Sequence, residues 1–487
     1  MSASKSNDEY VGLEPKMDKR AKAEMELAQQ NKKYRRTVAI IVAIIVVCIA
    51  FVAVVNSSLF YTHMTAVKVG STSYSAAEFS YYYETVYSEY YNTYGSTIDT
   101  STVYSYDEDG NPLTFADYFT EQAITTMTQI TALYDEAMSV GYVIDDDYAA
   151  EIDSSLAYIE LYASLYGYTT DGFLAAQYCR GMDTELYTEI ITKYLTAYSY
   201  SNYLYESFEY TDEEKADYYA ANADSLENIT LYYYYIPASA FADLDDDAAA
   251  EAAHDAAQTI ADAGDLEGYL AAADEYAGTE DAATSWTGYG DDISSYYSEW
   301  ALDAARTEGD TTVVDLDGSG SYALCFVSRD DNDYPTVSVR HILIQAEADD
   351  DGEYTEEALQ AAYDELVEIY DMWQENPTEE YFAELADEYS DDSAEGGLYE
   401  EIYKGQMVTE FNDFCFADHE TGDTGIVLGQ SDSYAGYHLI YFVGEGDTYS
   451  NVLADEALRS EDFTAYRDEL AGTYTVSTGW AIRFGKS

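Results

Sequence analysis

The chain of 487 residues carries a formal net charge of −74, yet 47% of it is apolar and 55 residues are tyrosine. The charge makes nucleic acid and anionic lipid poor partners for the main body, and the apolar and aromatic content is too high for a disordered acidic chain. At ~150 residues per domain, about three domains fit.

The charge is uneven. Residues 1–36 hold nine basic and six acidic residues and read as a polar cytoplasmic tail, disordered or with a frayed helix around 14–30. Lys32, Lys33, Arg35 and Arg36 then stand directly before an unbroken run of 18 apolar residues, 38–55, which is the length of a membrane span. Basic residues on its N-terminal side place that side in the cytoplasm. The run is long for the core of a signal peptide and no small-x-small site follows it. An uncleaved transmembrane anchor over 37–56 is therefore expected rather than a cleaved leader. Val47 stands where a lipoprotein site needs a small residue, so Cys48 reads as a cysteine inside the span. Cys179, Cys325 and Cys415 are widely spaced among apolar neighbours and read as buried free thiols.

Residues 64–226 begin with strand and turn at Val67-Lys68-Val69-Gly70, and Tyr74-Ser75 leads into a helix. Helical patterns then dominate. They cover 115–140, ending before Gly141, and 145–166, ending at Gly167. A third follows the Thr169-Thr170-Asp171 cap, 185–210 is the longest, and Thr211 opens a last short one. Asp107-Glu108-Asp109-Gly110-Asn111 has alternating oxygen ligands, but a turn containing Asp-Gly explains it better than calcium.

Residues 335–446 hold the one signal that points to a particular chemistry. Residues 337–344 are an apolar, β-rich run. Thr355 caps a helix in which Leu359, Ala362, Leu366, Ile369 and Trp373 step by three and four. Pro377 breaks it, and Thr378 caps a second with Phe382, Leu385 and Tyr389 inward. A short helix over 407–414 and strands over 426–428 and 437–443 complete a small α+β sandwich with an antiparallel sheet. Two of the chain's five histidines, His341 and His438, fall in its central strands. Asp392 and an apolar set of Leu398, Met407, Phe411 and Phe416 accompany them.

Residues 229–330 repeat that pattern. Ile229-Thr230-Leu231-Tyr232 onward parallels the run at 337–344, Ala273-Asp274-Glu275-Tyr276 parallels Ala386-Asp387-Glu388-Tyr389, and Tyr322-Ala323-Leu324 parallels Tyr437-His438-Leu439. Tyr233 then stands where His341 stands, Ala323 where His438 stands, and about Thr279 where Asp392 stands. The fold pattern survives in this copy and the site residues do not. Beyond 446, residues 450–470 read as a helix, with short extended runs at Tyr474-Thr475-Val476 and Trp480-Ala481-Ile482.

The motifs Val339-Arg340-His341-Ile342-Leu343-Ile344, Tyr389-Ser390-Asp391-Asp392, Gly396-Gly397-Leu398, Gly405-Gln406-Met407-Val408 and Gly436-Tyr437-His438-Leu439-Ile440, in that order, resemble the parvulin family of peptidyl-prolyl isomerases. The resemblance covers nearly all of 335–446. It implies that His341 and His438 hydrogen-bond each other on adjacent strands and support a catalytic Asp392. It also implies a proline pocket of Leu398, Met407, Phe411 and Phe416. Residues 399–404 are acidic and one residue longer than the family's usual loop. The strand, turn and helical array of 64–226 is similar in pattern to the chaperone domain of SurA/PrsA-type foldases, in which the chain's end returns to complete that domain.

The expected architecture is thus α+β and multidomain. It comprises a tail at 1–36, an anchor at 37–56 and a helical chaperone-like domain at 64–226 completed by 450–483. A degenerate parvulin-like domain at 229–330, a parvulin-type domain at 335–446 and a C-terminal helix and tail at 447–487 follow. The expected function is a membrane-anchored, extracytoplasmic peptidyl-prolyl cis-trans isomerase and chaperone for secreted proteins. The alternative is a non-catalytic holdase that binds unfolded secreted chains in parvulin-like clefts. A hydrolase built on Asp392, His438 and a serine lacks the Gly-x-Ser-x-Gly elbow. The expected partners are unfolded or partly folded secreted polypeptides with X-Pro bonds, and the membrane through 37–56. No cofactor, metal or nucleic acid is expected, and the sequence does not specify an oligomeric state.

Overall fold

The computed structural model describes residues 19–55, 57–95, 97–349, 352–431 and 434–485. The expectation for the first 18 residues lies outside them. A single helix, Lys19–Val55, opens the described chain. Its stretch Lys32–Val54 is 23 residues long, with none of its most apolar window buried, and is long and apolar enough to cross a membrane.

The chain divides into two units, one of Met1–Ser207 with Phe463–Ser487, which includes this helix, and one of Phe208–Asp462. In the first, helix ends follow the sequence closely. Ser75 accepts from the Glu78 amide, and the Glu78 carboxylate accepts from the Ser75 amide, a reciprocal cap that starts Ala76–Tyr94. Thr114 and Asp117 do the same for Phe115–Val140, which ends at Gly141 with a φ of 74°. Phe79, Tyr83, Phe119, Met127 and Leu174 pack fully buried in the core of these helices. A three-stranded sheet joins both ends of the unit in the order Val476–Thr478, Thr65–Val69, Thr72–Ser75. The run at 480–482 is not extended. Trp480–Phe484 forms a 3-10 turn, which brings the Trp480 and Phe484 rings edge-on at 5.5 Å with Phe60 against both, at 5.2 and 4.7 Å. The Asp107 carboxylate turns inward on its own loop and accepts from the amides of Asp109 at 3.0 Å and Asn111 at 2.7 Å, closing the hairpin of Val103–Tyr106 and Pro112–Thr114.

The second unit holds two four-stranded antiparallel sheets. One has the order Thr284–Tyr289, Asn228–Pro237, Gly320–Asp330, Thr311–Leu316. The other has the order Leu398–Ile402, Pro335–Gln345, Ala435–Thr448, Thr424–Gln430. In both, the first strand in sequence is followed by two helices, an edge strand, a short helix and a hairpin whose last strand pairs back with the first. Buried Asn332, with φ 55°, lies between them in sequence and ties the Tyr219 hydroxyl and the Leu226 carbonyl, each at 3.0 Å, to the segment between the sheets.

The second sheet positions the site by alternation along its two central strands. Ile342, Ile344, Leu439 and Tyr441 face one side, where helices Glu356–Glu375 and Glu379–Tyr389 bury Leu366, Ile369, Phe382 and Leu385 against them. Val337, Val339, Ile440 and Phe442 face the other, against Phe411 and Cys415 of the short helix Thr409–Cys415. His341 and His438 belong to this second face.

Candidate active site

Register brings the two histidines together. His341 pairs with Ile440 and His438 with Leu343, so the imidazoles stand diagonally across the central pair of strands. Their Nδ1 atoms are 3.1 Å apart. Both rings are buried. Phe411 meets each edge-on, with centroids 5.3 Å from His341 and 5.2 Å from His438.

Asp392 comes from the loop after helix Glu379–Tyr389. That loop is laced to the His341 strand: the Leu343 amide donates to Ser390 Oγ at 3.0 Å, the Asp391 amide to the Leu343 carbonyl at 2.8 Å, and the Gln345 amide to Asp391 Oδ2 at 2.8 Å. Asp392 Oδ2 then stands 3.8 Å from His341 Nε2, its side chain 24% exposed. Oδ1 accepts from the Ala394 amide at 2.9 Å, and the Tyr399 hydroxyl reaches both oxygens at 3.2 Å. Gly397, with φ 62°, turns the chain back at this point, and a Cβ there would run into the His341 carbonyl.

A cavity of about 530 Å³ opens over this group. His341, Asp392, His438, Met407, Phe411 and Tyr399 line it, with Tyr434 at its rim. A larger space of about 650 Å³ lies by the helix side of the same sheet, floored by alanines. It holds neither histidine, so the chemistry belongs to the first.

Of the residues singled out in the sequence, His341, Asp392, His438, Met407 and Phe411 come together here. Leu398 and Phe416 do not line the cavity. Leu398 pairs with Arg340 and Tyr399 with Val339, so strand alternation turns Leu398 to the helix side and Tyr399 to the cavity. The extra residue of 399–404 is absorbed by a bulge between Tyr399 and Ile402, with Glu401 at φ 54°. Phe416 packs against Tyr334, with centroids 5.9 Å apart. Tyr434 went unread in the sequence. It follows a loop with no periodicity, yet its hydroxyl lies 3.1 Å from His438 Nε2.

Burial holds both imidazoles neutral. It pushes His341 below the ordinary histidine value against the pull of Asp392. It pushes His438 down to about 4, helped by His341 and opposed by Asp392. Burial, then the Asp392 charge, pushes the Tyr399 and Tyr434 hydroxyls up, so both remain donors. The arrangement offers a dry apolar wall, an acidic group and a chain of neutral hydrogen-bonding rings. It holds no activated nucleophile.

Residues 323–444 match the family model of the PPIC-type PPIASE domain. This segment is a parvulin-type peptidyl-prolyl isomerase domain. Solved structures similar to this isomerase include PrsA from Bacillus subtilis, 14% identical over 77% of this chain and 91% of that one, with a TM-score of 0.29. Foldase protein PrsA from Streptococcus pneumoniae is 11% identical over 76% and 91%, with a TM-score of 0.24. PrsA from Bacillus anthracis is 22% identical over 29% and 59%, with a TM-score of 0.18. No curated protein matches the isomerase chain. The assignment rests on the match over 323–444 and on the geometry above.

In the other sheet of this isomerase the equivalent diagonal is aromatic. Tyr233 pairs with Leu324, which makes Tyr322, not Ala323, its diagonal neighbour. The two rings meet edge-on at 5.9 Å. Ala323 faces the opposite side, among Ala253, Ala257 and Tyr269. A slip of one residue in the sequence comparison exchanged the two faces.

Proposed function

We propose that this isomerase is anchored in the cell membrane by residues 37–56, with its N-terminus cytoplasmic, and that it assists extracytoplasmic proteins as they fold. The observation that carries the catalytic part is the joining of His341, His438 and Asp392 on one cleft of the segment that matches the isomerase family. The anchoring part is supported by the apolar helix Lys32–Val54 and the basic residues at its start.

His341, Asp392 and His438 are the catalytic residues in this reading, and Met407, Phe411 and Tyr399 hold the proline. Rotation about an X-Pro bond meets a barrier of ~18–20 kcal/mol set by amide resonance. Seating the ring against Phe411 and Met407 takes the amide out of water, which favours the twisted, less polar amide of the transition state. The buried polar groups then replace water where they fit the twisted geometry better than the planar one. No bond other than the rotating one changes.

The domains at 64–226, 229–330, 335–446 and 447–487 form the working body in this proposal. The sheet at 229–330 is a parvulin-like copy without its catalytic groups. Tyr233 and Tyr322 fill the place of a histidine pair, and a role in holding unfolded chain, or in structure alone, is assigned to it. The clients are unfolded or partly folded secreted polypeptides.

The test uses the full chain in detergent micelles and an unfolded protein whose refolding is limited by an X-Pro bond. Faster refolding supports the proposal, and an unchanged slow phase contradicts it. For topology, single cysteines are placed in 1–36 and in 229–330 in intact cells. Labelling by a membrane-impermeant reagent at the second position alone is the expected result. Labelling at the first would overturn the orientation.

A further inference from the structure

A chain of polar groups lines the cavity, and only one order of protons satisfies both its ends. The chain runs Tyr434 hydroxyl, His438 Nε2, His438 Nδ1, His341 Nδ1, His341 Nε2, Asp392. Its spacings are 3.1 Å, 3.1 Å and, at the last step, 3.8 Å. With both rings neutral, one Nδ1 carries the proton between them and the other accepts it. Each choice fixes the proton on the far nitrogen of each ring.

Consider the end at Asp392. Its oxygens accept from the Ala394 amide and the Tyr399 hydroxyl, so it turns an acceptor toward His341. A bare His341 Nε2 would aim a lone pair at that acceptor. An N–H there is attracted to it. The end at Tyr434 agrees. A phenol is a better donor than acceptor, and a bare His438 Nε2 accepts its hydrogen bond. A protonated His438 Nε2 would leave Tyr434 to accept. Both ends therefore select the same order: His438 protonated at Nδ1, His341 protonated at Nε2.

We infer that Tyr434 is a positioning residue that fixes this order, so that His341 presents an Nε2–H to the bound prolyl peptide. The unused capacity of that atom supports the inference. His341 is 4% exposed, and its Nε2 is one of the few buried side-chain atoms among the described residues without a hydrogen-bond partner. At 3.8 Å, Asp392 attracts the N–H without consuming it. An N–H left in this state costs stability and is ready to donate to the substrate amide as it twists. Gly429 makes room for the device: a Cβ there would overlap His438 Nε2 and lie 2.8 Å from the Tyr434 oxygen.

The inference rests on the isomerase reading, and the test separates the two. With five histidines in the chain, ¹⁵N-histidine labelling of the full chain in micelles gives few signals. Substitution of His63, His254 and His419 assigns the remaining two. The expected spectrum has His341 as the Nε2–H tautomer and His438 as the Nδ1–H tautomer. In Tyr434→Phe the fixed order is lost, both rings show averaged tautomers, and kcat falls about tenfold, the worth of one hydrogen bond, with KM little changed. A parent spectrum with the opposite tautomers overturns the inference. So does a Tyr434→Phe variant with unchanged tautomers and unchanged kcat. Should the parent show the expected tautomers and no isomerisation, the isomerase reading fails and the donor role with it, while the proton order stands.

Discussion

Gly429 stands diagonally from His438 across the outer pair of strands, and the imidazole occupies the space its side chain would take. The backbone of an outer strand thus sets the height of a central imidazole. Gly429→Ala is expected to push His438 off the Tyr434 hydroxyl and away from His341. Overpacking of this kind costs about 1–3 kcal/mol, but activity is expected to fall much further, by at least about tenfold, because the diagonal contact is geometric. Peptide isomerisation beside thermal unfolding of the same variant decides the point. A variant that loses stability while keeping full activity would show that the ring height is unimportant.

The buried pair gives the isomerase a particular acid response. Both imidazoles lie below the ordinary histidine value in the folded chain, His438 at about 4 against 6.5. Between those values the unfolded chain binds more protons than the folded one. The stability the neutral rings confer is therefore complete above about pH 6.5 and is lost as the pH falls toward 4, to the extent of about 3 kcal/mol for His438. Urea unfolding of the parent and of His341→Gln/His438→Gln across that range measures it. The parent curve is expected to fall more steeply than that of the double variant. Parallel curves would mean that the rings titrate normally.

Arg340 anchors the loop that carries Asp392 from the helix side. Its Nε donates to Glu379 at 3.0 Å and its terminal nitrogen to the Gly396 carbonyl at 2.9 Å. Gly396 and Gly397 lead from Asp392 into Tyr399, so this bond holds both ends of the acidic part of the site. Arg340→Met keeps the apolar stem and removes the donors. A loss of about 1–2 kcal/mol in stability and a several-fold drop in kcat/KM are expected in urea unfolding and peptide assays. Unaltered kcat/KM would show that the loop holds itself.

Much of this was legible in the residues. Ser75, Thr355 and Thr378 cap their helices where polar oxygen precedes an amphipathic run. His341 and His438 stand out because histidine is scarce in the chain, whereas Asp392, one of 95 acidic residues, is singled out by the resemblance of its motif. What failed to show is what depends on register. Leu398 and Tyr399 are adjacent, and which of them reaches the cavity is decided by pairing with Arg340 and Val339. Ala323 and Tyr322 differ by the same single step. Tyr434 sits four residues before His438 on no motif, and only the folded strand carries its hydroxyl back to the ring.

In the proposed function the sheet bearing His341 and His438 catalyses isomerisation and the sheet bearing Tyr233 and Tyr322 does not. The most direct measurement is the rate of isomerisation of a proline tetrapeptide by the full chain in micelles, beside His341→Ala, Asp392→Ala and Tyr233→Ala. Acceleration by the parent, its loss in the first two variants and its retention in the third are expected. A parent no faster than the uncatalysed reaction, or a His341→Ala variant as fast as the parent, would contradict the proposed function.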